Sequence, residues 1–186
     1  MGRAAWYTDV HLNFLDNSRL GPFYRSMAAE EADVVLISGD IGEAPDVARI
    51  LTNIADAVQR PVYFVLGNHD FYRSSVRDTR FEIGKLAGEN EHLVYLNDMD
   101  PVELGPNTAL VGHDGWGDAR LGDYDNSPVL LNDHFLIAEL SEYVSLVRDV
   151  IQDREATRRR LEEFGDQAAA HLERVLPLAL DSHENV

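Results

Sequence analysis

The chain has 186 residues, 33 acidic against 16 basic, a formal charge of −17 and no cysteine. Disulfides, thiolate metal sites and cysteine nucleophiles are therefore excluded, and the acidic balance argues against broad nucleic-acid binding and against anionic membrane surfaces. The length suits one domain, residues 1–186, and without an apolar run of the roughly 18 to 20 residues that cross a bilayer, or a basic-then-apolar leader, the expected compartment is the cytoplasm.

In chain order, a brief apolar run from Ala4 to Thr8 ends at Asp9, and a second from Asp33 to Ser38 ends at Gly39-Asp40. Both read as strands with polar ends. Val47, Ile50, Leu51, Ile54 and Val58 follow helical spacing, with Pro45 acceptable near the start. Pro61 opens Val62 to Leu66, an apolar run that reads as a buried strand and ends at Gly67-Asn68-His69-Asp70. Two more strands are predicted at His92–Leu96 and Thr108–Gly112, the second ending at His113-Asp114-Gly115-Trp116-Gly117-Asp118. An uneven helical pattern follows from Asn132 to Val150. From Arg154 to Leu180 the positions Leu161, Phe164, Ala168, Leu172, Val175, Leu176 and Ala179 form an amphipathic stripe, which Gly165 and Pro177 should weaken. Asp181 to Asn185 reads as a polar connection and Val186 as the first residue of a further strand.

This is a βα succession, and ligands of such sheets sit at the carboxyl ends of the strands. The polar clusters fall there. Asp9 and His11 are two positions apart, so in extended backbone both side chains can face one cation. Asp40 adds a carboxylate able to bridge two cations, and Asn68 a neutral carbonyl oxygen. Two cations about 3.5 to 4 Å apart would bind phosphoryl oxygens and acidify a water between them. His69 is then the natural general acid or phosphate-orienting group, and Asp70 a residue that orients His69 or a ligand from behind.

Asp9-x-His11, Gly39-Asp40 and Gly67-Asn68-His69-Asp70, each after a predicted strand, resemble the first three motifs of the calcineurin-like metallophosphoesterases. The resemblance is specific over residues 4–72. It implies an α/β fold of four layers, two packed sheets flanked by helices in an α/β/β/α sandwich, with hydrolysis of phosphomonoesters or phosphodiesters by two divalent metals drawn from manganese, iron and zinc. On the matching positions it makes Asp9 and His11 ligands of the first metal, Asp40 the bridge, Asn68 a ligand of the second and His69 catalytic. A small-molecule or nucleotide phosphoester is the implied substrate. The family's later histidine and its Gly-His-x-His motif have no counterpart here, so the second sheet is expected to be incomplete and the chain to end before the fourth motif. An exposed sheet edge would then favour self-association. The alternative is an inactive or weakly active metal-binding or interaction module.

His113, after a predicted strand, is the candidate to replace the missing histidine ligand, against the reading that it is structural while Trp116 and Asp118 shape the substrate loop. His183, His134, His171 and His92 read as structural or exposed. Tyr72 and Arg73 are placed either to touch a substrate phosphate or on an exposed loop. Arg158-Arg159-Arg160 reads as a solvated face of helical ion pairs.

Overall fold

A computed structural model describes residues 2–145 and 150–186. Strands β1 (Ala4–Tyr7), β2 (Val34–Ser38), β3 (Val62–Val65) and β4 (Leu93–Tyr95) form one parallel sheet in chain order. Parallel neighbours need crossovers, and α1 (Asn17–Ala29), α2 (Ala44–Val58) and α3 (Val76–Glu89) supply them. The register Val35↔Val62↔Leu93 and Ile37↔Phe64↔Tyr95 puts these six side chains on one face, and all are buried. The predicted stripe of α2 packs there: Val47, Ile50, Leu51, Ile54 and Val58 are buried. The apolar stripes of α1 and α3 are too sparse to stand out in the sequence. Of α1 only Leu20 and Met27 are fully buried, and its last carbonyls are gripped by Arg60, whose guanidinium donates to the Ala28 and Glu30 oxygens at 2.6 and 2.8 Å.

The opposite face is less covered. Leu36, Tyr63, Val65 and Val94 are half-buried, and on β1, which occupies an edge, Trp6 is 71% exposed while its indole N–H donates to Ser38 Oγ.

The remaining strands make small antiparallel pairs. β5 (Val102–Gly105) and β6 (Thr108–Leu110) form a hairpin, and Asn185 joins it through an isolated parallel bridge to Thr108. Near the strand expected from Val186, the described residues show this one bridge at Asn185 and no strand.

The helix expected over 132–150 is corrected. Two short turns, α4 (Asp133–Leu136) and α5 (Ala138–Ser141), are followed by a two-stranded pair, β7 (Val144–Ser145) and β8 (Val150–Ile151), and residues 146–149 of that expectation lie outside the described residues. Ile137 breaks the helix by turning extended. Its segment bridges Ser74, where the Ala138 N–H finds the Ser74 carbonyl at 2.9 Å.

The last helix, α6 (Arg154–Ser182), passes through both expected weak points. Gly165 has a packing reason: a Cβ there would stand 2.5 Å from Asp118 Cβ, so glycine lets the 113–118 loop lie against the helix. Leu161, Phe164, Ala168, Val175 and Ala179 are buried as predicted, while Leu172 and Leu176 are half-buried. Phe164 meets Trp116 with ring centroids 5.1 Å apart, and Trp116 meets Phe71 at 5.7 Å, which ties α6 to the end of β3. No described helix is long and apolar enough to cross a membrane.

Candidate metal centre

Three loops leave the carboxyl ends of β1, β2 and β3, and backbone bonds knit the first two. The N–H groups of His11 and Leu12 donate to the carbonyls of Asp40 and Ile41 at 2.9 Å each. Asp9, His11 and Asp40 take left-handed backbone, with φ of 51°, 41° and 52°. Such φ values are uncommon outside glycine and are held only where the surroundings fix them. Here the surroundings are close. At Gly67 a Cβ would lie 2.1 Å from Asp40 Oδ1, and at Gly39, with φ 88°, it would lie 2.6 Å from the Gly67 nitrogen. The two glycines let the β2 and β3 loops touch.

Asp70 locks that contact. Fully buried, it accepts the N–H groups of Ile41 and Gly42 at 2.9 and 2.8 Å on one oxygen and of Gly67 at 2.9 Å on the other. Burial pushes its carboxyl up to about 7, the three N–H donors pull the other way, and the Asp40 charge adds to the rise. Its carboxylate therefore orients the loops carrying Asp40 and Asn68, and its hydrogen bonds go to backbone and not to the His69 imidazole.

Ligand atoms of His11, Asp40 and His69 lie within 4.8 Å of one another. His11 Nε2 is 3.7 Å from Asp40 Oδ2, the His11 and His69 rings are 4.6 Å apart, and Nδ1 of each is buried without a partner among the described residues. His11 Nε2 beside the Asp40 carboxylate offers the imidazole nitrogen and oxygen that a cation of the borderline class accepts. Asp40 Oδ1 also accepts the His69 N–H at 3.1 Å, and the His69 ring stacks on Tyr72 at 4.4 Å. Asp9, the other ligand expected on the first loop, is exposed and its carboxylate, which accepts from the Thr8 hydroxyl, is not among the ligand atoms that meet.

Asn68 donates its Nδ2 to Asp133 Oδ1 at 2.8 Å, and Tyr72 OH donates to the same oxygen at 2.6 Å. Burial and this carboxylate raise the Tyr72 pKa, so the phenol stays a donor. Asp133 was not a sequence candidate. It sits in the segment that patterning assigned to one helix, and no local signal ties it to Asn68, 65 residues earlier.

His113 stands apart from the cluster. It accepts the Gly115 N–H at 2.9 Å through Nδ1 and faces His171 with rings 5.2 Å apart. Burial, with Arg80 and His171, pushes its pKa down to about 4. The next residue, Asp114, accepts the Leu66 N–H at 2.8 Å and Arg80 Nε at 2.9 Å, pinning this loop to the end of β3. Arg73 is paired with Glu43 at 2.5 Å, and Arg158, Arg159 and Arg160 pair with Asp125, Glu155 and Glu163.

A calcineurin-like phosphoesterase family model matches residues 2–176. The chain belongs to that family. No curated protein sequence matches it. Among solved structures, phosphopantetheinyl hydrolase from Mycobacterium tuberculosis shares the fold, with a TM-score of 0.61 and 16% identity over 92% of this chain and 63% of that one. The chain thus spans less than two thirds of that relative. As a calcineurin-like phosphoesterase it falls in a class of phosphoester hydrolases that use divalent metal, and the His11, Asp40 and His69 group lies where the sheet topology puts such chemistry.

Proposed function

We propose that this chain is a metal-dependent phosphoesterase that hydrolyses a small phosphomonoester or phosphodiester at a two-metal site. The observation that carries the reading is the approach of His11, Asp40 and His69 ligand atoms within 4.8 Å, on loops locked together by Asp70. Asp9 and His11 would hold one cation, Asp40 would be shared, and Asn68 would offer its carbonyl oxygen to the second. When bound, such cations supply positive charge to phosphoryl oxygens and acidify water near neutral pH.

The protein's own groups do the rest. Asp40 fixes the His69 backbone, and Tyr72 supports the imidazole from behind. In that position His69 can pass a proton to a leaving oxygen. His113 as a further ligand, manganese, iron or zinc as the metals, a nucleotide among the substrates, a single domain over residues 1–186 and a cytoplasmic location belong to the same reading and rest on the sequence.

The test is metal content by mass spectrometry together with hydrolysis of an aryl phosphodiester in added manganese. Two bound metals and turnover that Asp40→Asn abolishes would support the proposal. Asp40→Asn with unchanged metal content and rate would refute it.

A second reading is favoured by β1, an edge strand with Trp6 71% exposed. An uncovered edge and apolar face recruit another chain, so an interaction module that self-associates is the alternative. Concentration-dependent dimerisation lost in Trp6→Lys, with no metal bound, would favour it.

A further inference from the structure

Beside Asn68 the protein opens a cavity of about 700 Å³, within the usual range for small-molecule sites. Gly67, Asn68 and Asp133 line it, and its wall is more apolar than polar, with Trp116 and Leu161 part of it. At the rim Leu121, Val129 and Leu131 are 93%, 65% and 55% exposed, three large apolar side chains of one segment turned to solvent around the same opening. Scattered exposed leucines need no explanation, but a group of them around a concavity marks a surface meant to be covered.

The polar groups of the wall are mostly occupied by the wall itself. The Arg154 guanidinium donates to the carbonyls of Tyr124 and Ser127 at 2.9 and 3.3 Å and lies 5.9 Å from the Tyr124 ring. Asp123 accepts from the Asn126 amide, and Asp114 is paired with Arg80. The one described cation of the wall, Arg154, is thus held by backbone carbonyls and the Tyr124 ring. The exceptions are His134 Nδ1 and the Tyr124 hydroxyl, both on lining residues and both buried without a partner among the described residues.

We infer that this cavity receives the organic part of the phosphoester, and that this part is uncharged and largely apolar, of aromatic or branched aliphatic size. The inference rests on the phosphoesterase reading for the phosphate end and on the cavity alone for the rest. Hydrolysis forms a bond from water oxygen to phosphorus and breaks the bond to the ester oxygen, which takes up a proton. The product left in the cavity is therefore a neutral alcohol, and an apolar alcohol is a direct probe of it.

The experiment titrates the full metal-free chain with benzyl alcohol or glycerol, following the Trp116 indole N–H by NMR. The Trp6 indole, bonded to Ser38 and outside the cavity lining, is the internal reference. A saturable shift of Trp116 alone is expected, with benzyl alcohol binding at least tenfold tighter than glycerol. Leu121→Asn combined with Leu131→Asn, both at exposed positions, should weaken it at least fivefold. Equal response to the two alcohols, or an unchanged double variant, overturns the inference. A parallel assay compares benzyl phosphate with glycerol phosphate in manganese. Turnover with no preference for the benzyl ester also overturns it and leaves the phosphoesterase reading standing, whereas a tight alcohol site without Asp40-dependent turnover overturns that reading and leaves the cavity.

Discussion

The Asn68 amide nitrogen and the Asp133 carboxylate meet at 2.8 Å across 65 residues of sequence. An amide side chain has one donating end and one accepting end, and a carboxylate can take only the donor. Asp133 therefore fixes which way Asn68 faces and leaves Oδ1 free among the described residues, the atom a cation would use. Tyr72, donating to the same carboxylate at 2.6 Å, keeps Asp133 in place. Asp133→Ala should weaken manganese binding about tenfold, the usual size of effect for a group that orients a ligand. Tyr72→Phe should weaken it less. Calorimetric titration of the two variants checks this, with thermal melts to confirm folding, and equal affinity in Asp133→Ala and wild type would contradict it.

Gly67 is a steric matter. A methyl group there would overlap Asp40 Oδ1 at 2.1 Å and the Asp40 nitrogen at 2.6 Å, and neither neighbour can retreat, because Asp40 already holds left-handed backbone. Gly67→Ala should lower stability by about 2 kcal/mol, within the range for forced overlap in a packed site, and should abolish metal binding at any concentration that saturates the wild type. Denaturant unfolding and metal content measure the two effects. A stable variant that still binds metal would show that the β2 and β3 loops have more freedom than their contact implies.

The parts legible in the sequence share a physical character. Strand ends and the motifs on them are local: Asp9, His11, Asp40, Asn68 and His69 can be located on the loops after β1, β2 and β3 because each follows a short apolar run, while the meeting of His11, Asp40 and His69 is tertiary. The α2 stripe was legible because five apolar residues repeat on one face. The segment after Asn132 was not, since its break at Ile137 comes from a bond to Ser74, a partner more than 60 residues away that no local pattern reveals. For the same reason Asp133 and the wall of the cavity went unseen. The sequence suggests a supporting role for Asp70, but its use of backbone N–H groups from two loops, and not of His69, depends on tertiary contact.

His113 offers a pH prediction. Burial comes first, and Arg80 and His171 add to it in pushing its pKa down to about 4, while Asp98 pulls upward. The ordinary histidine value is about 6.5, so between about 6.5 and 4 the unfolded chain binds a proton at this position that the folded chain does not. Stability from this group is therefore complete above pH 6.5 and falls as the pH drops toward 4. His113→Gln removes the titration while keeping a polar side chain of similar reach. Its melting temperature should change less than that of the wild type between pH 7 and pH 5. Because the ring is partly open to solvent beside Arg80, Asp98 and His171, salt should reduce the difference between the two proteins. Parallel pH curves for wild type and variant would mean that acid loss of stability comes from other groups, with buried His134, whose pKa burial also lowers, the first to replace.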